Sequence, residues 1–127
     1  MLYLADHQED DRSIFSSEIA EQELIPKKFL ETILRELRNF QFVQSKRGKT
    51  GGYKLLKDPK EINLADLMRA VDGPIAMLPC VSLNYYANCE ECDEKICQIK
   101  PVFEEIRDQT LKILNSTSID SMRQERL

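Results

Sequence analysis

The feature that most constrains this sequence is an amphipathic segment followed closely by two short apolar runs around a pair of glycines. Between residues 26 and 39, apolar side chains recur at the spacing of a helix with one face in a core. The apolar positions are Phe29, Leu30, Ile33, Leu34 and Leu37. Residues 42–46 and 53–56 then have strand character, and Gly51 and Gly52 between them allow the positive φ angles of a hairpin tip. The sequence therefore predicts a helix beside a two-stranded hairpin.

Further helices are predicted on both sides of this pair. Residues 1–6 read as the end of a first helix, and Ser16 is a candidate N-cap for a short second one. Asn63 is a candidate N-cap for a helix that Gly73 and Pro74 end. The predicted fold class is mainly α with a small β-hairpin wing, in the element order of a winged helix-turn-helix.

The basic residues are concentrated on the predicted helix and hairpin. The segment 26–60 holds ten Lys and Arg residues against three acidic ones, a net charge of +7, so the remainder of this −4 chain carries −11. A basic block inside an acidic protein is the electrostatic footprint of a phosphate-binding face. The alternatives are a solvated helix face or a surface that binds an acidic protein. Its position on a helix and hairpin favours DNA, with the helix in the major groove.

A long helix is predicted near the end of the chain, from about Gln98 to Asn115. Its apolar face consists of Ile99, Val102, Phe103, Ile106, Thr110, Ile113 and Leu114. We expect this face to form a homodimer seam, which suits a palindromic operator; the alternative is that it caps its own domain. The expected organisation is a DNA-binding domain over 1–74, a cysteine-bearing sensor loop over 75–97, and a dimerisation helix and tail over 98–127.

All four cysteines lie in the irregular stretch before that helix, at Cys80, Cys89, Cys92 and Cys97, with gaps of eight, two and four residues. Four thiolates suit Zn²⁺ or an iron–sulfur cluster, and unmetallated thiols are the alternative. Glu90, Glu91, Asp93 and Glu94 surround the CxxC pair. We expect these carboxylates to raise the pKa values of the thiols in the metal-free state.

Several classes of protein are excluded or disfavoured. The chain of 127 residues has about the length of one domain, and it shows neither an apolar run of about 20 residues nor a secretory leader, so a cytoplasmic protein without membrane contact is expected. His7 is the single histidine, and no Ser/His/Asp set or phosphate loop can be built around it. The chain is therefore not expected to be an enzyme.

The motifs of this sequence resemble those of the Rrf-type winged-helix regulators, the family of IscR, NsrR and CymR. Those motifs are Ser17-Glu18-Ile19-Ala20, Ile25-Pro26-Lys27-Lys28-Phe29-Leu30-Glu31, Ile33-Leu34-Arg35-Glu36-Leu37, the wing Ser45-Lys46-Arg47-Gly48-Lys49-Thr50-Gly51-Gly52-Tyr53 and the turn Ala70-Val71-Asp72-Gly73-Pro74. The wing matches the family form R-G-x-x-G-G-Y at every fixed position. The resemblance covers nearly the whole chain.

The resemblance implies a dimeric bacterial transcription regulator with a long C-terminal dimerisation helix. Many members hold an iron–sulfur cluster ([2Fe–2S] or [4Fe–4S]) through three cysteines and sense iron–sulfur status, nitric oxide or redox state. By that pattern Cys80 and Cys97 are the first and last ligands, and the middle ligand is Cys89 or Cys92. Other members lack the cluster and respond through a partner protein. Chains of the family begin further upstream, so the first helix here is expected to be truncated.

The resemblance also assigns DNA contacts. Lys28 and Glu31 match residues that meet base edges, and Arg47 matches a residue that reaches the minor groove. The alternative for Glu31 is an i, i+4 ion pair with Arg35. The other residues of the expected DNA-binding set are Lys27, Arg35, Lys46, Lys49 and Thr50, of which the three lysines are assigned to phosphates.

Overall fold

The structure, a computed structural model, describes residues 1–125, which form six α-helices, one 3₁₀ turn and one two-stranded sheet. In chain order the elements are α1 Leu2–Asp6, α2 Ser16–Gln22, α3 Lys27–Asn39, β1 Val43–Lys46, β2 Gly52–Leu55, α4 Leu64–Asp72, the 3₁₀ turn Pro79–Val81, α5 Lys100–Ser116 and α6 Ile119–Glu125. The predicted fold class, mainly helical with a hairpin wing, is confirmed. Within these residues, no helix combines the length and apolarity needed to cross a membrane.

The core lies beneath α3. Leu30, Leu34 and Leu37 are buried on one face of this helix and pack in a cluster with side chains of α1, α2, β1 and α6. Each such side chain contributes about 1.5–3 kcal/mol by leaving water, so this cluster fixes the orientation of α3. Phe29 was predicted to join the same face, but it is 62% exposed. It lies one residue before Leu30, a rotation of about 100° around the helix, beyond the edge of the core.

The ends of α2 and α3 differ slightly from the predicted ones. Ser16 is the first helical residue of α2 and Phe15 is the N-cap, so the prediction that Ser16 caps the helix is wrong. Pro26 is the N-cap of α3, and its fixed φ sets the entry into that helix. Between the two helices Leu24 adopts a φ of 54°, and the N–H of Ile25 bonds the carbonyl of Ala20 at 3.0 Å. This tight turn gives the helix-turn-helix its short connection.

The hairpin pairs Val43 with Leu55 and Lys46 with Gly52 in antiparallel register. Ile14 extends the sheet, because its backbone N–H and C=O bond Tyr53 at 2.9 and 2.7 Å. Gly52 has a φ of 121°, and a Cβ at this position would lie 2.4 Å from the carbonyl oxygen of Ile14. Only glycine allows the hairpin to approach the 11–15 loop this closely.

The end of the described chain returns to the DNA-binding unit. Asn63 caps α4 as predicted, with its side chain accepting the N–H of Asp66 at 2.8 Å. The sequence pattern does not predict α6. Its first residue, Ile119, is 1% exposed and bonds the carbonyl of Ile62 through its N–H at 2.9 Å, and Arg123 donates to the carbonyl of Ala5 at 2.9 Å. Helix α6 therefore packs on the core formed by the first half of the chain.

Candidate DNA interface and cysteine loop

The outer face of α3 presents cations to solvent. Lys27, Lys28 and Arg35 are exposed, whereas the opposite face of the helix is buried. Within residues 1–125, neither Lys28 nor Arg35 forms an ion pair. Uncompensated charge on an exposed helix that a core holds in place is suited to contacts with phosphate.

Glu31 lies at the junction of the two helices of the helix-turn-helix. Its Oε1 lies 4.0 Å from Nζ of Lys27 and accepts a long hydrogen bond of 3.5 Å from Oγ of Ser16. The alternative that placed Glu31 in an ion pair with Arg35 is therefore wrong, because the carboxylate turns toward the start of α2. It is half-buried there, which leaves part of its surface for a ligand.

The hairpin carries the remaining expected DNA contacts. Lys46, Arg47, Lys49 and Thr50 are all exposed around the tip. Arg38 on α3 donates to Oγ of Ser45 on β1 at 3.3 Å, so the outer face of α3 and the hairpin are held side by side. An open groove of about 670 Å³ runs between the hairpin and the 11–15 loop, and Lys46, Lys49 and Thr50 are among the residues that line it.

A polar cluster joins α2 to the segment before it. Arg12 donates to both oxygens of Glu18 at 2.9 and 2.8 Å, and the Tyr3 hydroxyl donates to the same carboxylate at 3.0 Å. The Arg12 hydrogen bonds lower the pKa of Glu18 to about 2 from an ordinary 4.5. The sequence gives no periodic signal for this cluster. His7 is half-buried, packs its ring against that of Tyr3 and contacts the Tyr3 carbonyl through Nδ1 at 2.9 Å.

Three of the four thiols meet in the loop before α5. Sγ of Cys92 lies 3.1 Å from Sγ of Cys89, and the Cys92 thiol also bonds Cys97. Hydrogen bonding to Cys89, burial and the bond to Cys97 raise the pKa of Cys92 to about 12. Cys80 lies on the 3₁₀ turn, and among the described residues no sulfur–sulfur bond joins it to the other three.

Cys97 differs from its neighbours because it lies just before α5. The backbone N–H groups of Lys100 and Ile99 bond its sulfur and lower the pKa of the Cys97 thiol. The expectation that the surrounding carboxylates raise the thiol pKa values is therefore wrong for Cys97, where Glu94 acts in that direction but is outweighed. For Cys92 the direction is as expected, but neighbouring thiols and burial, and not the carboxylates, raise the pKa of the thiol.

Glu94 connects this loop to α5. Its carboxylate accepts the backbone N–H of Cys89 at 3.0 Å and pairs with Nζ of Lys100 at 2.5 Å. The Tyr86 hydroxyl donates to it at 3.0 Å, and Nζ of Lys100 lies 6.0 Å from the centre of the Tyr86 ring. The Glu94 side chain is 14% exposed, whereas the other acidic side chains of the loop are exposed to solvent.

The apolar face of α5 is largely uncovered. Among its predicted members Ile99, Val102, Ile106 and Ile113 are exposed, whereas Phe103, Thr110 and Leu114 are half-buried. Only Leu111 of this helix is buried, on the side facing α4 and the 3₁₀ turn. Arg107 fastens the helix to that turn through a 2.7 Å bond to the carbonyl of Val81.

The cysteine loop contains the type of ligand, thiolate sulfur, that zinc and iron–sulfur clusters bind. The Cys92 thiol bonds both Cys89 and Cys97, and the pKa of the Cys97 thiol is lowered by the backbone N–H groups that bond its sulfur. Cys80 is the fourth thiol, on a separate turn. Across residues 1–125 no set of three or more His, Cys, Asp or Glu side chains is arranged to hold a metal ion. A site that used Cys80 would therefore require the loop to rearrange.

The helix-turn-helix, the basic hairpin and the exposed cations of α3 together define a winged helix-turn-helix DNA-binding protein. The model of the family Rrf2, described as iron-dependent transcriptional regulators, matches residues 1–125, and the chain belongs to that family. It is 42% identical to an rrf2-like HTH-type transcriptional regulator of Rhodobacter capsulatus over 96% of this chain and 83% of the relative. The relatives are transcriptional regulators, and the chain is accordingly a regulator and not an enzyme.

The chain is also similar to two further regulators. It is 29% identical to the HTH-type transcriptional regulator IscR of Photorhabdus laumondii, over 84% of this chain and 62% of that one. Its fold superposes on CymR, the global cysteine regulator of B. subtilis, with a TM-score of 0.78 and 25% identity, covering 98% of this chain and 87% of CymR.

Proposed function

We propose that this Rrf2-family regulator acts in the cytoplasm as a homodimer on palindromic DNA and senses iron–sulfur, nitric oxide or redox status through its cysteine loop. The DNA-binding part is supported by the exposed cations of α3 beside the hairpin. In a symmetric dimer two such faces would meet half-sites about 34–36 Å apart.

The DNA contacts divide by position. Lys28 and Glu31, near the start of α3, are proposed to meet base edges, and Arg47 to enter the minor groove. Glu31 is suited to accept from an exocyclic amine because its carboxylate is half-buried and held by Ser16 and Lys27. The proposed phosphate and backbone contacts are Lys27, Arg35, Lys46, Lys49 and Thr50.

The uncovered face of α5 is the proposed dimer seam. Ile99, Val102, Ile106 and Ile113 are 40–64% exposed along one helix, and such a row is stabilised only when another apolar surface covers it. Light scattering should give a dimer for the natural chain and a monomer for Ile113→Asp. The matched control is Lys112→Asp, which changes an exposed neighbour on the same helix. A natural chain that is monomeric at all concentrations would contradict this assignment.

The sensing role depends on one observation, the convergence of the Cys89, Cys92 and Cys97 thiols before α5. These residues, with Cys80 brought in as the loop rearranges, would hold a [2Fe–2S] or [4Fe–4S] cluster. When bound, such a cluster supplies a centre that reacts with oxidants and nitric oxide. Because Glu94 and Lys100 connect the loop to α5, a change in the loop would be passed to the helix that sets half-site spacing.

A second candidate keeps the same fold without a cluster. Its cysteines would hold structural zinc or remain bare thiols, and a partner protein would control DNA binding. Among the described residues no bond joins Cys80 to the other three thiols, which supports the bare-thiol form of this alternative. The remaining alternative for the basic face is a protein-interaction module that takes an acidic protein as its partner. Salt-sensitive association that shows no preference for any DNA duplex would favour it.

Anaerobic purification followed by an absorption spectrum and iron, sulfide and zinc analysis separates these candidates. Broad visible bands with matched iron and sulfide would establish the cluster. One zinc per chain in a colourless protein that resists reconstitution would make the loop structural. The absence of any metal would leave thiol chemistry or a protein partner as the control.

A further inference from the structure

One carboxylate, that of Glu94, joins the CxxC part of the cysteine loop to the side chain of the first residue of α5. Glu94 lies between the two halves of the thiol cluster in sequence, five residues after Cys89 and three before Cys97. It accepts hydrogen bonds from the Cys89 backbone N–H, the Tyr86 hydroxyl and the Lys100 ammonium at the same time. Since Lys100 is the first residue of α5, these contacts join the loop backbone to the start of that helix.

We propose that Glu94 is the positioning residue of the cysteine loop, holding the Cys89 backbone against the start of α5 so that the Cys89, Cys92 and Cys97 thiols share one site. Glu94 is not itself a ligand in this role. The importance of this role for metal binding rests on the proposed metal-sensing function. The positioning itself is a property of the metal-free chain.

The neighbouring acidic residues show why contact, and not charge alone, singles out Glu94. Glu90 and Glu91 belong to the same acidic run, and both are exposed. Within residues 1–125 neither side chain forms an ion pair or a hydrogen bond, whereas the Glu94 side chain is 14% exposed and accepts three different donors. If the carboxylates acted only through their charge on the thiols, replacing any of the three would have a similar effect.

The loop has little else to hold it. Between residues 75 and 99 only Val81 and Ser82 are buried, both at the 3₁₀ turn and away from the CxxC segment. Loss of the Glu94 carboxylate would leave the Cys89 N–H and the Lys100 ammonium without their acceptor, and no apolar packing would compensate. A glutamine at this position keeps an oxygen that can accept the Cys89 N–H, but it loses the charge that pairs with Lys100.

Amide hydrogen exchange in the metal-free protein tests the positioning directly. The Cys89 amide is expected to exchange at least about tenfold faster in Glu94→Ala than in the natural chain, because its bond to a charged acceptor is lost. Glu94→Gln should recover part of the protection, and Glu91→Ala should leave it unchanged. Amides of α3 serve as an internal control for the DNA-binding unit. Equal exchange at Cys89 in the natural chain and Glu94→Ala would overturn the proposal.

Titration with Co²⁺ then measures the consequence for ligation. Thiolate-bound Co²⁺ gives near-ultraviolet charge-transfer absorption, and Glu94→Ala is expected to weaken its binding about 10–100-fold, as loss of an outer-shell partner does at other metal sites. Glu91→Ala should change the affinity by less than about twofold if contact decides the effect. Equal weakening by Glu91→Ala and Glu94→Ala would overturn positioning in favour of simple electrostatics.

The two measurements separate the failure of this inference from the failure of the sensing function. If the natural chain shows no thiolate-bound Co²⁺ and Cys89 exchange still depends on Glu94, the metal-sensing proposal fails and the positioning role stands for the thiol form. If Co²⁺ binds with thiolate bands but Glu94→Ala changes neither exchange nor affinity, metal binding stands and the role of Glu94 is wrong.

Discussion

The DNA-binding unit and the cysteine loop are stabilised by opposite means. In the first, Leu30, Leu34 and Leu37 of α3 enter an apolar cluster to which α1, α2, β1 and α6 also contribute. In the second, a few polar contacts centred on Glu94 and the thiols hold an irregular backbone. Apolar packing is cooperative and does not respond to oxidation or metal binding. A network of thiols and a carboxylate, by contrast, changes when its sulfurs react or bind metal.

Under the proposed function, this difference would place stability and responsiveness in separate parts of one small protein. A helix that reads bases must keep its orientation within a fraction of an ångström, and the core beneath α3 is suited to that. The proposed sensing would require at least two loop arrangements that differ little in free energy, and a loop with few buried apolar side chains allows them. Arg107 and Lys100 are the points at which the loop contacts α5.

Truncation of a core leucine should have the largest effect on stability. Leu34 is 2% exposed, and Leu34→Ala is expected to lower the free energy of unfolding by about 3 kcal/mol through lost burial and the cavity left behind. The loop variant Cys92→Ser, which alters an exposed residue, should change it by less than about 0.5 kcal/mol in the metal-free protein. Urea denaturation measures both. Comparable losses would show that the loop and the core beneath α3 belong to the same cooperative unit.

Base discrimination should depend on Glu31 more than on any loop residue. Glu31→Ala is expected to cost about 1–3 kcal/mol of preference at one base pair of each half-site, because the acceptor for an exocyclic amine is lost. Binding selection from a randomised duplex pool, followed by titration of single-base variants, measures this. The control is Glu91→Ala, which removes the same charge from the loop. If the Glu31 variant binds all variants uniformly more weakly, the residue does not read a base.

The parts of the fold that follow periodic patterns could be predicted from the sequence. Helix α3 shows the 3.6-residue repeat of its apolar face, the hairpin is marked by two strand-forming runs around Gly51 and Gly52, and Asn63 caps α4 through a local bond that spans three residues. The mistake at Phe29 has the same origin, since periodicity gives the direction of the apolar face but not the width of the core that covers it. No sequence pattern indicates α6, because its position beside Ile62 depends on a contact between residues far apart in the chain.

The candidate sites could be predicted only in part. Cysteine spacing indicates a thiol site, and exposed lysines follow from the outer face of α3. The Glu94 contacts could not be foreseen, because they join Tyr86, Cys89 and Lys100 within a stretch that has no regular period. In the sequence Glu94 is one of four similar acidic residues around the CxxC pair. In the structure its side chain is more buried and accepts hydrogen bonds from three donors.

The Glu18 cluster gives the DNA-binding unit a measurable pH dependence. The folded pKa of Glu18, about 2, lies below its ordinary 4.5, so its contribution to stability is complete above about pH 5 and is lost as the pH falls toward 2. Glu18→Gln should therefore lower the free energy of unfolding by about 1–2 kcal/mol at pH 7, and the difference from the natural chain should shrink below pH 4.5. Urea denaturation at pH 7, 4.5 and 3 measures this. A difference that stays constant over this range would contradict the role of the ionised carboxylate.

The smallest expected effect concerns two lysines, one in the DNA-binding unit and one in the cysteine loop. Lys49 on the hairpin and Lys95 in the cysteine loop are both exposed, and among the described residues neither side chain forms an ion pair. Lys49→Ala should weaken binding to all duplexes by a similar factor and reduce the slope of log affinity against log salt by about one, because one phosphate contact is lost. Lys95→Ala removes the same charge and should leave the slope unchanged. If both variants shift the slope equally, the loop also approaches the DNA backbone, and sensing and binding would share one surface.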